Sequence, residues 1–151
     1  TTLLLVFLFF DNRLSLFSFH LSSSKMGGSQ VFLESNANYL VSTLIKSIVV
    51  ASANDACVAM AEKCCGSEEE FVKLMNDKAK ELGLENTRYA NPVGLHDENN
   101  YTTVRDIFTL TKYALKNKTF KEISEEFDIE NPRIVEILDK VYFYMIGALN
   151  I

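Results

Sequence analysis

The apolar run between residues 45 and 62 constrains the fold of this chain more than any other feature. It consists of helix-like apolar residues on both sides of a short polar interruption at Ser52, Asn54 and Asp55. Ser, Asn and Asp favour caps and turns, because their short side chains bond nearby backbone N–H groups. The pattern therefore predicts two buried helices joined by a polar bend, which holds a hydroxyl and a carboxamide toward one point.

The bend also has a simpler, purely structural interpretation. Ser52 or Asn54 can cap the helix that begins near Asp55, as residues of these types often do. A Ser-x-Asn triplet is a short motif with a high rate of chance matches. The triplet alone therefore does not identify a functional site.

Hydrophobic periodicity predicts the elements on either side of the bend. Residues 38–51 carry apolar side chains at spacings of three and four, the signature of a helix. Residues 56–65 are apolar nearly all round, which predicts a central helix that ends at Gly66. Residues 30–34 are rich in β-forming side chains and are predicted to form a short strand.

Two further helices are predicted downstream. Ser67 opens a capping box, and the inward positions of its helix are Phe71, Met75, Ala79 and Leu82. Thr102 or Thr103 caps a fourth helix with an apolar stripe at Val104, Ile107, Phe108, Thr111 and Leu115. Beyond it, Phe120, Ile123 and Phe127 indicate a short helix, and residues 141–146 are consistent with a strand or a buried helix.

The loop between the third and fourth helices is predicted to be architectural. Asn91 precedes a proline and Gly94 can adopt positive φ, so this segment is expected to form a turn. His96 follows in a polar stretch, and with one other His in the chain a metal site is not predicted. Arg105 and Asp106 are expected to pair or to cap at the start of the fourth helix.

Bulk properties exclude several classes of function. The chain of 151 residues is long enough for one domain with a buried core, and its net charge of −5 offers no basic surface for nucleic acid. No apolar run is long enough for a transmembrane segment. The three cysteines lack C-x-x-C spacing, which argues against zinc and a disulfide framework, and Cys57 and Cys64 are predicted core residues.

Four sequence blocks occur in order along the chain. They are M-G-G-S-Q-V-F-L-E at 26–34, I-V-V-A-S-A-N-D-A at 48–56, N-P-V-G-L at 91–95 and N-Y-T-T-V-R-D-I at 100–107. Together they resemble the serine D-alanyl-D-alanine carboxypeptidases, the low-molecular-mass penicillin-binding proteins of peptidase family S11. Four blocks in the family's order are far more specific than the triplet.

The resemblance implies an α+β fold, that of the serine β-lactamases and D,D-peptidases. We expect a fragment of that fold, mainly its helical lobe with one or two short strands, in a single domain over 1–151. Residues 1–117 are family-like and 118–151 form an unassigned tail. The apolar block at 3–10 resembles the helix that follows the family's Ser-x-x-Lys motif, so the nucleophile is expected to be absent from the chain.

Two other short motifs resemble the remaining catalytic motifs but do not fit them. Ser22–Lys25 spells Ser-x-x-Lys, yet Gly27 and Gly28 follow at once and oppose the helix that this motif must open. Lys118 and Thr119 are followed by Phe120, where the family's Lys-Thr-Gly strand has a small residue that admits the substrate backbone. Only the middle motif, Ser-x-Asn, is therefore expected here.

The resemblance also implies the roles of the two residues at the bend. Ser52 would relay a proton to the leaving amine, and Asn54 would bind the catalytic lysine or an amide carbonyl of the substrate. The implied partners are a peptidoglycan stem peptide ending in D-Ala-D-Ala and, for the intact enzyme, β-lactams. The resemblance implies no cofactor or metal. The implied location is the cell envelope, outside the cytoplasm. The fragment alone is expected to be inactive.

Two alternatives remain at this point. A class A β-lactamase shares the fold and has Ser-Asp-Asn as its middle motif, but Ala53 takes the place of the Asp here, and N-P-V-G-L at 91–95 favours the carboxypeptidases. The second alternative is a non-catalytic module that binds peptidoglycan peptides or a partner protein through an exposed apolar cleft.

Overall fold

A computed structural model of the protein describes residues 16–18 and 27–118. Two short strands, β1 (Leu16–Ser18) and β2 (Asn38–Leu40), pair antiparallel with Leu16 opposite Leu40. The helices that follow are α1 (Val41–Ala51), α2 (Asn54–Cys65), α3 (Glu68–Glu81) and α4 (Val104–Ala114). The described part of the chain is therefore mainly helical with one small ribbon, as the sequence predicted.

Helix α2 lies at the centre of the hydrophobic core. Its residues from Asn54 to Ala61 are all buried, and it packs against both α1 and α3. The largest fully buried side chains are Met60 of α2 itself and, outside this helix, Phe71, Leu44, Met75, Leu110 and Pro92. The nearly uniform apolar sequence of this helix predicted the central position correctly, because only a helix surrounded by others can bury all of its faces.

The predicted helix starts are set by hydroxyl caps. Ser67 Oγ accepts a hydrogen bond from Glu70 N, and Thr103 Oγ1 accepts one from Asp106 N. Each bond satisfies a backbone donor that the first turn of a helix leaves without an intrahelical partner. Both caps were predicted from the sequence, and of the two threonines it is Thr103 that performs the role.

The predicted strand at 30–34 is wrong. The backbone N–H groups of Val31 and Leu33 donate to the carboxylate of Asp55 rather than to a neighbouring strand, at 3.2 and 3.0 Å. Phe32 between them has φ +57°, a left-handed conformation that no regular strand contains. A non-local carboxylate thus takes the place of the strand ladder.

Three burial and boundary predictions also need correction. The first helix begins at Val41 rather than Asn38, because residues 38–40 pair with β1. The buried face of α4 consists of Asp106, Leu110 and Ala114, whereas Val104, Phe108 and Leu115 of the predicted stripe are 39%, 47% and 51% exposed. Cys57 is buried as predicted, but Cys64 is exposed.

Several predictions fall outside the described residues. These are the apolar block at 3–10, the Ser22–Lys25 motif, the short helix over 120–127 and the segment 141–146. Within the described ranges, no helix combines the length and hydrophobicity needed to cross a bilayer.

Candidate active site

The bend between α1 and α2 places Ser52 in an unusual backbone conformation. Ser52 is the C-cap of α1 with φ 52° and ψ 42°, the left-handed region that few non-glycine residues adopt. Its own N–H and that of Ala53 both donate to Ser47 O, which closes the helix. The side chain of Ser52 is exposed and makes no hydrogen bond within the described residues. The hydroxyl is therefore available to a ligand.

Asn54 is fixed on the opposite side of the bend. It is the first residue of α2 and is only 8% exposed. Its backbone N–H donates to Ser29 O at 2.9 Å, and its side-chain Nδ2 donates to Gly27 O at 2.7 Å. The segment 27–29 therefore determines which way the carboxamide points.

A cleft of about 330 Å³ opens beside the bend. One wall comes from the two helices at the bend and consists of Ile48, Ser52, Ala53, Asn54 and Cys57. The other wall consists of Tyr89, Pro92, Val93, Gly94, Asn100, Tyr101 and Thr102. The structure thus brings Ser52 and Asn54 to one cavity, as the sequence predicted from their spacing at a bend.

The second wall is a loop held at its base and in its middle. Arg88 and Tyr101 exchange two backbone hydrogen bonds, at 2.9 and 3.0 Å, and so close the loop between them. Inside it, Asn91 Oδ1 accepts from Val93 N and Leu95 N, and Asn91 Nδ2 donates to Leu95 O. Asn91 therefore shapes the loop, as predicted, and does not line the cleft.

Two polar side chains of helices, the half-buried Asn76 and the buried Asp106, hold the wider region together. Asn76 on α3 donates to Tyr89 O at 2.8 Å and accepts from Tyr89 N at 2.9 Å. Asp106 on α4 accepts from Asn86 N and from Thr87 Oγ1, at 2.9 and 2.7 Å. These contacts anchor the start of the cleft loop to the helical core.

The electrostatic character of the cleft is neutral. None of the described residues that line it is Asp, Glu, Lys, Arg or His. Burial, with a smaller effect of Glu68, raises the pKa of the Cys57 thiol to about 12, and this thiol donates to Pro92 O at 2.9 Å. Burial, with a smaller effect of Asp106, raises the pKa of Tyr89 to about 12. Both groups are therefore uncharged at neutral pH.

The chemistry that the residues lining this cleft offer is hydrogen bonding. Within the described residues, no group of three or more His, Cys, Asp or Glu side chains is arranged to hold a metal ion. His96 lies on an exposed part of the loop and does not line the cleft. A hydroxyl, a carboxamide and backbone groups are the means by which the cleft can bind a polar ligand.

Some residues that shape the site were not predicted from the sequence. Gly27 and Gly28 contact the Asn54 side chain, and Asp55 holds the segment that follows them. Paired glycines just upstream of a functional motif are a signal of close backbone approach, which could have suggested this contact. The contacts of Asp55 join residues 22 and 24 positions apart, which no local pattern reveals.

Structures of similar shape define the class of protein. The D-alanyl-D-alanine carboxypeptidase from Mycobacterium tuberculosis superposes with a TM-score of 0.73 and 25% identity, over 81% of this chain and 47% of that one. A serine-to-alanine mutant of the Streptomyces K15 DD-transpeptidase gives a TM-score of 0.71 and 25% identity, over 81% of this chain and 52% of that one. The chain therefore has the fold of the D,D-peptidases, and the predicted fold class is confirmed.

The sequence identifies the family within that class. The sequence profile of the D-alanyl-D-alanine carboxypeptidase family matches residues 17–134, so the chain belongs to this family. It is 47% identical to DacF of Bacillus subtilis over 106 residues, 70% of this chain and 27% of DacF. It is 43% identical to DacA of Escherichia coli K12 over 91 residues, 60% of this chain and 23% of DacA. The chain spans about a quarter of the length of these relatives.

Proposed function

We propose that this chain forms the middle part of a serine-type D-alanyl-D-alanine carboxypeptidase, in which Ser52 and Asn54 serve the reaction cleft. The substrate is a peptidoglycan stem peptide ending in D-Ala-D-Ala, which places the protein in the cell envelope outside the cytoplasm. The observation that supports the proposal most directly is that Ser52 and Asn54 line one neutral cleft in a chain of this family.

The proposed reaction proceeds through an acyl-enzyme. The serine of a Ser-x-x-Lys motif attacks the carbonyl carbon between the two D-alanines, the C–N bond breaks, and D-alanine leaves with a proton on its amine. Water then hydrolyses the ester. A β-lactam acylates the same serine. The one Ser-x-x-Lys motif in the sequence, Ser22–Lys25, is followed by Gly27 and Gly28, which oppose the helix that the motif must open, so the chain by itself is proposed to be inactive.

Ser52 is proposed to move the proton in this sequence. Its exposed hydroxyl, which no described residue binds, can accept a hydrogen bond from the lysine amine while donating to the leaving nitrogen. A positioned proton donor of this kind contributes roughly a hundredfold or more to rate. Asn54 is proposed to hold one of the reacting groups in place through its carboxamide.

A fluorescent penicillin tests whether the chain carries a nucleophile of its own. We expect no covalent labelling of the 151-residue protein on a denaturing gel. Labelling that disappears in Ser22→Ala would show instead that Ser22–Lys25 is a working Ser-x-x-Lys motif.

A chimera tests the roles of the two cleft residues. Residues 27–117 of this chain would replace the matching segment of DacF of B. subtilis, and release of D-alanine from a stem peptide would be measured. We expect activity that falls roughly a hundredfold or more in Ser52→Ala. Ser47→Ala is the matched control, because Ser47 Oγ donates to Thr43 O within the same helix and does not line the cleft.

The chimera also separates the catalytic proposal from a non-catalytic module. A folded chimera that releases no D-alanine, while the 151-residue chain binds a D-Ala-D-Ala peptide saturably in calorimetry, would favour the module. An active chimera in which Ser52→Ala and Ser47→Ala behave alike would remove Ser52 from the reaction.

A further inference from the structure

The second wall of the cleft carries a hydroxyl whose hydrogen bonds run back into the protein. Thr102 is half-buried and lines the cleft, and its Oγ1 lies 2.9 Å from Thr87 Oγ1. Thr87 Oγ1 in turn lies 2.7 Å from Oδ2 of Asp106, a residue that is only 5% exposed. Two hydroxyls therefore connect a buried carboxylate with the cleft.

The carboxylate fixes the direction of both hydrogen bonds. An ionised carboxylate has no proton to donate, so Thr87 must give its only hydroxyl proton to Asp106. Asp106 Oδ2 also accepts from Asn86 N at 2.9 Å, which is consistent with an acceptor at this position. Thr87 then has only lone pairs left for Thr102, so the Thr102 hydroxyl donates to Thr87.

This direction determines what Thr102 can offer to a ligand. A threonine hydroxyl has one proton and two lone pairs, and the proton is here engaged by Thr87. Within the described residues, no donor contacts Thr102 Oγ1. Thr102 can therefore only accept a further hydrogen bond. Because hydrogen bonds in a chain polarise one another, the buried carboxylate makes this oxygen a better acceptor.

We propose that Thr102 binds a peptide N–H of the substrate and is held as an acceptor by Thr87 and Asp106. This inference deepens the proposed function and rests on it, because the stem peptide supplies the N–H. No described residue that lines the cleft is charged, which suits a neutral peptide N–H better than an ammonium group. Thr102 lies on the wall opposite Ser52 and Asn54, so the peptide is contacted from both sides.

The DacF chimera tests this binding role. In Thr102→Val, which keeps the shape of the side chain and removes the hydroxyl, we expect KM for the stem peptide to rise about three- to tenfold. The value of kcat should not change, because the hydrogen bond is present before and during the reaction. Thr102→Ser should restore KM. Thr109→Val is the matched control, because Thr109 Oγ1 donates to Arg105 O within α4 and Thr109 does not line the cleft.

Stem peptides in which one backbone N–H is replaced by an ester oxygen identify the donor. Only bonds upstream of the scissile bond are changed, so the reaction itself is kept. One of these esters should raise KM in the parent chimera and cause no further rise in Thr102→Val, because both changes remove the same hydrogen bond. The proposal is overturned if Thr102→Val behaves like Thr109→Val. It is also overturned if no ester raises KM in the parent chimera, a result that does not depend on the folding of any variant.

Hydroxyl exchange in the whole 151-residue chain tests the direction of the hydrogen bonds without any need for activity. The Thr102 hydroxyl proton is assigned in NMR spectra at low temperature by its loss in Thr102→Val. Its exchange should accelerate about tenfold in Thr87→Val, which removes its acceptor. Unchanged exchange would show that Thr102 does not donate to Thr87. An inactive chimera would instead count against the proposed function, and with it the binding role of Thr102, but would leave this exchange unaffected.

Discussion

At the scale of single residues, Ser52 combines an available hydroxyl with a strained backbone. A left-handed residue other than glycine costs about 1–2 kcal/mol, and such strain tends to persist where a side chain is needed. Glycine at this C-cap would remove the strain, but it would also remove the hydroxyl. The two demands on position 52 are therefore opposed.

This opposition predicts a difference between two variants that both lack the hydroxyl. We expect Ser52→Gly to have a free energy of unfolding about 1 kcal/mol above that of Ser52→Ala, because only glycine relieves the left-handed strain. Urea unfolding of the 151-residue chain measures the difference. Equal stabilities would mean that the bend relaxes when the side chain is removed.

Tyr89 is a second residue whose position in the fold lowers the stability of the protein. Its hydroxyl is buried and has no hydrogen-bond partner within the described residues, while its backbone is held by Asn76. A buried polar group left unpaired costs about 1–3 kcal/mol.

We therefore expect Tyr89→Phe to leave the free energy of unfolding unchanged or to raise it by about 1 kcal/mol. Thermal unfolding by circular dichroism checks this. Tyr101→Phe is the control, since the Tyr101 side chain is 54% exposed and its hydroxyl carries no burial cost. A clear loss of stability in Tyr89→Phe would show that the phenol has a partner, such as an ordered water.

The residue scale also shows where prediction from sequence ends. Ser52 and Asn54 could be found because a polar interruption in an apolar run is a local signal. The contact between Gly28 and Asn54 depends on how two segments 26 positions apart approach each other, which their spacing does not encode. The orientation of the Asn54 carboxamide, on which its chemistry depends, is therefore a property of the fold alone.

At the scale of elements, Asp55 supplies the hydrogen-bond acceptors that a neighbouring strand would otherwise supply to the backbone of residues 31–33. One carboxylate oxygen accepts from Val31 N and from its own neighbour, Ala56 N, and the other accepts from Leu33 N. Hydrogen bonds to a charged acceptor are stronger than those between neutral groups. The segment that holds Asn54 is thus tied to the first turn of α2.

We expect Asp55→Asn to lower the free energy of unfolding by about 1.5–3 kcal/mol, because its NH₂ group would face a backbone donor that needs an acceptor. Amide exchange of Val31 and Leu33 should accelerate in the same variant. Asp77→Asn is the control, since Asp77 is an exposed residue whose nearest cation, Lys80 Nζ, is 3.9 Å away. Unchanged exchange at Val31 would contradict the tethering role.

The elements that were predicted correctly are those with local signals. Helix α3 follows from a capping box and a regular apolar period, and α2 from its uniformly apolar sequence. The strand at 30–34 was wrong because its β-forming residues are bound by a distant carboxylate. On α4 the apolar stripe was real, but a buried Asp106 turns the opposite face inward, since Asp106 must reach Asn86 and Thr87.

At the scale of the whole molecule, the neutral cleft depends on groups that the fold keeps uncharged. Cys57 on one wall and Tyr89 on the other both have a pKa of about 12, against ordinary values of 9.0 and 10.0. The chain already carries a net charge of −5, so each ionisation adds to an existing negative charge. Folding and the neutral state of the cleft are therefore coupled.

The sign of this coupling predicts the alkaline stability of the chain. Both groups are acids whose pKa is higher in the folded state than in the unfolded state. Their contribution to the free energy of unfolding is therefore complete below pH 9 and is lost as the pH rises toward 12. We expect the free energy of unfolding in urea to fall over this interval, with Cys57 contributing a slope of at most about 1.4 kcal/mol per pH unit. In Cys57→Ala the free energy of unfolding should fall less steeply with pH from about pH 9 upward. In Tyr89→Phe it should fall less steeply above about pH 10.

The comparison with Cys64 distinguishes cleft burial from a general alkaline effect. The pKa of Cys64 is also raised, to about 11, by partial burial and its hydrogen bond with Cys65, but Cys64 is exposed and lies away from the cleft. Cys64→Ala should therefore change the slope less than Cys57→Ala does, with all samples kept reduced. If the two variants reduce the pH dependence of the free energy of unfolding equally, the loss of stability at alkaline pH comes from the negative charge of the whole chain. Burial of Cys57 in the cleft would then not contribute to it specifically.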